Sequence, residues 1–367
     1  MSVIYFFSVL FALLYVILIL VYTLGWIRTK DYVVTPKKPQ TSVSIIIPVR
    51  NEVKNIANCL TCVLNQSFPT EQYEVIVVDD DSVDYTASIV EQIATNSQNI
   101  SLIKLKDEPS IFAHKKRAIS TAIEKAQGDL IVTLDADCVV GKNWLMTIVN
   151  FYEEKKPRMI VSPVAFYEEN GFFKKIQSLE FVGLSAVTGA AIRLKYPMMC
   201  NGANLAYEKR AFYEVGGFEG IDKIASGDDI MLMNKMNKKF TNEILFLKCT
   251  DAVVYTKACD TVSDFFQQRL RWASKAFKVK SLHTLFSAII VGGFNILLFA
   301  AIVCGFYDII FFKLFCFMFL LKLTVDFLLL FSSVGFFEKK KLLLYILPTQ
   351  IFLLFVCYRY CFFFYLR

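Results

Sequence analysis

The chain has little of what several common chemistries require. Only two histidines, His114 and His283, occur in 367 residues, which nearly excludes His-based metal centres and histidine triads. No GxGxxG follows the first apolar run and no GxxxxGK[ST] occurs anywhere, so the dinucleotide and P-loop phosphate cradles are missing. Ten cysteines do not amount to a disulfide framework. Several fall inside long apolar runs, and the polar middle is expected to face a reducing compartment. Cys59 and Cys62 form a lone CxxC within a helical pattern, with no second pair, and read as a buried helix face. Charge is also scarce, at 20 % of residues against 55 % hydrophobic with 35 Phe. A mean hydropathy of +0.47 is too high for an ordinary soluble protein.

The apolar residues gather at the two ends. Val3 to Leu24 is an uncharged run long enough to cross a bilayer. It lacks a basic leader, exceeds a signal core and has no small-residue cleavage site, so it reads as an anchor. Past Lys280, spans are expected near 284–305, 309–331 and 342–364, separated by Gly305-Phe-Tyr-Asp308 and Glu338-Lys-Lys-Lys341. Arg28, Lys30, Lys37 and Lys38 follow the first span, and Lys339 to Lys341 precede the last. The positive-inside rule puts both clusters in the cytoplasm, with both termini outside and residues 25–283 inside. The net charge of +7 then reads as attraction to membrane lipids, with no nucleic-acid partner. Lys322 and Asp326 stand one helical turn apart in the third span, as a buried structural pair would.

Residues 42–140 alternate strand and helix signals. Apolar runs at Val43–Pro48, Val75–Val78, Leu102–Leu105 and Leu130–Leu134 enclose helical patterns at about 53–66, 84–96 and 115–127. This order predicts an α/β, doubly wound, mainly parallel sheet whose ligand sits beyond the carboxyl ends of the strands. Three polar clusters fall at that edge: Val49-Arg-Asn-Glu52, Asp79-Asp-Asp-Ser82, and Asp135 with Asp137. Two carboxylates separated by one small residue point to the same side of an extended segment. They suit a hard divalent cation that bridges to phosphate oxygens.

These blocks carry a resemblance. Val43-Ser-Ile-Ile-Ile-Pro-Val-Arg-Asn-Glu52, Val77-Val-Asp-Asp-Asp-Ser-Val-Asp84 and Leu134-Asp-Ala-Asp137 resemble the signatures of family 2 glycosyltransferases with the GT-A fold. Asn201-Gly-Ala-Asn-Leu-Ala-Tyr207 with Gly216-Gly-Phe218 is similar to the acceptor-side loop of that family. Ser226-Gly-Asp-Asp-Ile-Met-Leu232 resembles its acidic motif, with Asp228 in place of the usual Glu. Gln268-Arg-Leu-Arg-Trp272 fits the QxxRW motif of its membrane-integrated branch, which includes polysaccharide synthases and ceramide glucosyltransferases. The blocks run in family order over nearly all of residues 42–275.

The resemblance implies a GT-A-like domain plus one N-terminal and about three C-terminal transmembrane helices. It implies a nucleotide-sugar donor, UDP-linked, and Mg²⁺ or Mn²⁺ held by Asp137 and Asp135. Pro48, Arg50, Glu52, Asp80, Lys115 and Asp135 are the donor-side positions, although Arg50 stands where many relatives carry Tyr. Asp229 is expected as general base, with Asp228 as the alternative or as a helix cap. One base facing the leaving group from the opposite side implies inversion. Asn201, Gly202, Asn204, Gln268, Arg271 and Trp272 are assigned to acceptor and diphosphate. The expected divisions are 1–25 anchor, 26–41 linker, 42–140 donor half, 141–261 acceptor half, 262–282 interfacial helix and 283–367 spans. The segment 172–195 reads as a second interfacial helix. An integral membrane enzyme of the bacterial inner membrane type follows, glycosylating a lipid or glycan acceptor at the cytoplasmic face. A processive polysaccharide synthase, a catalytically silent scaffold or sugar-nucleotide sensor, and a nucleotidyltransferase remain as alternatives.

Overall fold

Strings of Val and Ile bounded by turn residues supply the strands. The computed structural model describes residues 2–35, 37–106, 114–222, 224, 227–276 and 281–365. They divide into two compact units, one formed by Lys30–Tyr167 with Pro197–Lys257, the other by the remainder. The first unit opens with β1 (Val43–Val49), α2 (Ile56–Leu64), β2 (Tyr73–Asp80), α3 (Thr86–Thr95), β3 (Ile100–Leu105), α4 (His114–Lys125) and β4 (Leu130–Thr133). It continues through β5 (Val139–Val140), α5 (Trp144–Lys155), β6 (Met159–Val161), β7 (Val164–Tyr167), β8 (Leu205–Glu208), α7 (Lys209–Glu214), α8 (Asp228–Lys239), β9 (Ile244–Phe246) and β10 (Val254–Lys257). The second unit holds α1 (Ser2–Arg28), α6 (Phe172–Arg193), α9 (Val262–Ala276), α10 (Leu282–Gly305), α11 (Ile309–Val334) and α12 (Ile346–Tyr365).

Seven strands make the main sheet, in the order β3-β2-β1-β4-β8-β6-β9. The first four are parallel, as the alternating pattern predicts, and β8 runs antiparallel to both β4 and β6. The sheet is therefore mixed and mainly parallel. β2 is longer than its apolar core suggests, because Asp79 and Asp80 stay in register with Val49, Lys104 and Leu105. Pro48 is tolerated in a central strand because β4 pairs β1 only over Val43–Ile46, leaving Pro48 without a β4 neighbour. A small sheet, β5-β10-β7, adds one further layer of pairing.

In the helical unit, α1, α10 and α11 are long and apolar enough to cross a membrane. The span expected at 342–364 starts as a 3-10 turn over Lys340–Tyr345 before α12 begins, and its side chains beyond Val356 lie outside the described residues. Lys322 and Asp326 pair at 2.5 Å, as their spacing predicts. Tyr15 of α1 completes the cluster, its hydroxyl donating to Asp326 at 2.7 Å and accepting from Lys322 at 3.0 Å. All three are buried, and they tie α1 to α11.

Candidate active site

Because β1, β2 and β4 are parallel, their carboxyl ends bring the first two acidic groups and the Asp135–Asp137 pair to one edge. Burial pushes the Asp137 carboxyl above its ordinary pKa, and the charge of Asp135 pushes it further; Thr256 Oγ1, at 3.1 Å, works the other way. Glu52 is raised too, first by burial and then by Asp137 and Asp135, against a hydrogen bond from Asn55 at 2.8 Å. Three carboxylates that repel one another are what a cation would relieve, so these residues fit a divalent metal. Among the described residues no three His, Cys, Asp or Glu gather as a ready-made cage. An ion such as Mg²⁺ takes one or two carboxylates and completes its shell with phosphate and water. Cys59 takes no part as a ligand: it is buried, its thiol lies 3.7 Å from the Asp135 carbonyl, and burial pushes its pKa up.

Asp80 is one of the expected donor-side positions. In the structure Arg117 Nη2 reaches its Oδ1 at 3.3 Å, and His114 Nδ1 and Arg50 Nη1 approach its Oδ2 at 3.2 and 3.8 Å. The turn into α3 is held by Asp84, which accepts from the Thr86 and Val53 amides. The neighbouring Asp79 is buried, and its Oδ1 has no hydrogen-bond partner among the described residues. Sequence reasoning missed His114 and Arg117; their i, i+3 spacing at the start of α4, opposite the strand-end acids, was the available signal.

Lys115 joins the two acidic groups. Its ammonium bonds Asp135 Oδ1 at 2.6 Å and lies 4.0 Å from Asp228 Oδ2. Burial disfavours its charge, but Asp135 and Asp228 outweigh that, and its pKa is raised. Asp228 and Asp229 open α8, where the positive end of the helix dipole favours carboxylates. The cap expected at Asp228 is instead Gly227, whose φ of +85° suits only glycine. Ser226 of the same block lies outside the described residues. Asp229 Oδ2 accepts from the Gly202 amide at 3.3 Å, while the Gly202 carbonyl accepts from Thr133 Oγ1 of β4 at 2.7 Å. One glycine thus links the donor-side strand to the acid helix.

Asn201 caps the short turn after it, accepting from the Ala203 amide at 3.1 Å. Asn204, assigned from sequence to the acceptor side, is fully buried and its amide is spent on the protein. Nδ2 donates to the Pro163 and Ala252 carbonyls, each at 2.8 Å, and Oδ1 accepts from Trp144 Nε1 at 3.1 Å. Asn204 thus ties three segments together, with both polar atoms of its side chain engaged by the protein. Two lysines went unnoticed. Lys116, 1 % exposed, donates to the carbonyls of Ile221 and Ile224, each at 2.6 Å. Lys235 donates to those of Gly216, Gly217 and Glu219 at 2.7–3.2 Å. Together they hold the turn ahead of Asp228 through its backbone, and a buried Lys inside a helical pattern gives no such sign in sequence.

Gln268, Arg271 and Trp272 lie on α9 of the helical unit. Arg271 is exposed, whereas Trp272 packs beside Phe181 at 5.9 Å. Phe277 and Lys280, part of the expected amphipathic stretch, lie outside the described residues.

Residues 44–216 match the model of Glycosyl transferase family 2. Over 129 residues the chain is 35 % identical to the glycosyltransferase AglE of Haloferax volcanii, covering 35 % of this chain and 41 % of that protein. It is 24 % identical over 251 residues to an N-acetylglucosaminyltransferase of Rhizobium meliloti, covering 66 % of this chain and 57 % of the relative. The chain therefore spans about half the length of these curated relatives. The mannosyltransferase PcManGT of Pyrobaculum calidifontis, solved with GDP-Man and Mn²⁺, shares the fold at a TM-score of 0.65 and 17 % identity. That likeness covers 91 % of this chain and 99 % of the other.

Proposed function

From the premise that the chain carries a family 2 glycosyltransferase domain, we propose that it moves one sugar from a UDP-linked donor to a membrane-embedded lipid or glycan. Transfer takes place with inversion at the cytoplasmic face of a bacterial-type inner membrane. The observation that carries this reading is the Lys115 bridge, which sets the strand-end acids Asp135 and Asp137 beside the helix acids Asp228 and Asp229. Donor-side and acid-side groups then serve a single crevice.

The division of labour follows from the chemistry. Asp137 and Asp135 would hold a divalent ion, which supplies charge neutralisation for a diphosphate leaving group. Glu52, Arg50 and Pro48 shape the entrance beside the base, where Asp80 keeps Arg117 and His114 in place. Lys115 adds a positive charge within reach of the same phosphates. Asp229 takes the proton of the attacking hydroxyl, its carboxylate aimed by the Gly202 amide. Asp228 lies 4.0 Å from the Lys115 ammonium, which offsets its charge. Gln268 and Arg271 answer to phosphoryl oxygens and Trp272 to the acceptor sugar. Among the described residues three helices are suited to crossing a membrane, which favours a limited transfer over threading a polymer, since a secretion channel needs several helices around it.

The test is donor turnover by the full chain in detergent, with Mn²⁺ or Mg²⁺ and native lipid extract, and with products sized. A single sugar added to a lipid is expected, and a ladder of long products would instead favour the polymerase. In the same assay Asp137→Asn should lose metal-dependent turnover and bind the donor more weakly, and an unchanged metal requirement would count against its ligand role. Asp229→Asn should keep donor binding and lose at least a hundredfold in transfer, about 2.7 kcal/mol of barrier. Full activity in Asp229→Asn would move the base elsewhere.

A further inference from the structure

α9 lies along one face of α6. Phe173, Gln177, Glu180 and Phe181 follow the i, i+4, i+7, i+8 spacing of a single helical stripe, and each meets the α9 segment. Phe173 packs edge-on to Phe265 at 5.9 Å, and Gln177 exchanges two hydrogen bonds with the backbone of Cys259. Glu180 takes Arg269 in a bidentate pair, at 3.0 Å from Nε and 2.5 Å from Nη2, and Phe181 lies beside Trp272.

Arg269 is the unassigned member of the Gln268-Arg-Leu-Arg-Trp272 block. It is only 6 % exposed. Its guanidinium sits between two rings, 4.4 Å from the centre of Phe265 and 4.2 Å from that of Trp272. Stacking and a planar fork on a carboxylate are what arginine offers and lysine does not. On the other side of the fork, Nη1 donates to Gln268 Oε1 at 2.7 Å. The Gln268 amide is thereby oriented, because an oxygen bound to Arg269 leaves Nε2 with two hydrogens to present. Arg271, three residues on and exposed, shares the face of Gln268.

We propose that Arg269, clamped by Glu180, is a positioning residue that fixes the Gln268 amide with its N–H groups outward and holds the Trp272 ring. Gln268 and Arg271 then form a donor-only pair for phosphoryl oxygens, those of a leaving diphosphate or of a phosphorylated lipid acceptor. The proposal rests on the transfer reaction above and adds to it the residue that sets the motif's polarity.

The experiment uses the full chain in detergent, with thermal midpoint, donor affinity and transfer rate measured together. Wild-type turnover is the control, and its absence would sink the reaction itself rather than this assignment. The exchanged double variant Glu180→Arg with Arg269→Glu keeps an ion pair between α6 and α9 but has no donor for Gln268. It should recover most of the midpoint lost in either single variant while transfer stays at least tenfold down. Recovery of both would show the pair to be merely structural and overturn the proposal. Gln268→Glu guards against an unfolded exchange, since it keeps an oxygen for Arg269 but turns the outward N–H groups into oxygen. A wild-type midpoint with transfer at least tenfold lower is expected, and undiminished transfer would overturn the proposal. Comparing nucleoside diphosphate release without acceptor separates the two phosphate sources. Loss of release in Gln268→Glu assigns the pair to the donor, and loss confined to transfer assigns it to a lipid phosphate.

Discussion

Glu52 shows how the charge balance of the crevice acts on a single side chain. Burial and the charges of Asp137 and Asp135 raise its carboxyl pKa, so the folded protein binds that proton more tightly than the unfolded chain does. The stabilisation linked to protonation is complete below the ordinary value of 4.5 and is lost as pH rises through the raised one. Near neutrality the ionised Glu52 is a cost to the fold. Glu52→Gln keeps an oxygen for the Asn55 amide, so its thermal midpoint should exceed that of the wild type at pH 7. The two should converge below pH 4.5. A midpoint difference independent of pH would refute this account. The carboxylate itself is legible in sequence as a polar residue past a strand. Its strain is not, because it depends on how closely β1 and β4 bring their ends together.

At the scale of elements, periodicity located β1 to β4 and the helices between them to within a few residues. It missed the end of β2, where backbone pairing on both sides carries two aspartates into the sheet. It also gives no sign of the buried hydrogen bonds that Asn204 makes. Polarity suggested that Asn204 faces a ligand, yet its hydrogen bonds reach carbonyls and an indole far away in sequence, and no local pattern announces them. Asn204→Ala leaves the Ala252 carbonyl and the Trp144 N–H without this partner, while the Pro163 carbonyl keeps only the Val254 amide. An expected loss of about 3 kcal/mol in unfolding free energy follows, given the cost of orphaned buried groups. Calorimetry or denaturant titration should report that loss while the acceptor KM of the folded fraction stays unchanged. A raised acceptor KM at wild-type stability would restore the ligand role. The glycine two positions earlier behaves in the opposite way. A Cβ at Gly202 would stand 3.5 Å from that of Asp229 and 3.6 Å from Asp228 Oδ2, ordinary contact distances, so substitution there bears on the acids more than on the fold.

For the molecule as a whole, the membrane part was readable because twenty apolar residues in a row have few other fates. The Lys322–Asp326 pair followed from its spacing, but Tyr15 came from the far end of the chain and no spacing could point to it. Removing one charge of a buried pair leaves the other uncompensated, at a cost of about 3–5 kcal/mol. Asp326→Leu should therefore lower the thermal midpoint in detergent sharply, while Lys322→Leu with Asp326→Leu should restore much of it. If the double variant is as unstable as the single one, the cluster contributes more than a neutralised pair.

Lys115 and Lys116 are neighbours on α4, so their side chains leave the helix about 100° apart. One reaches Asp228 and the other the carbonyls of Ile221 and Ile224. Ile221, Ile224 and Asp228 are thus all met by the same helix. A residue added or removed between Ile224 and Asp228 would slide the acids of α8 out of step with Asp135, even with Gly227 kept at the cap.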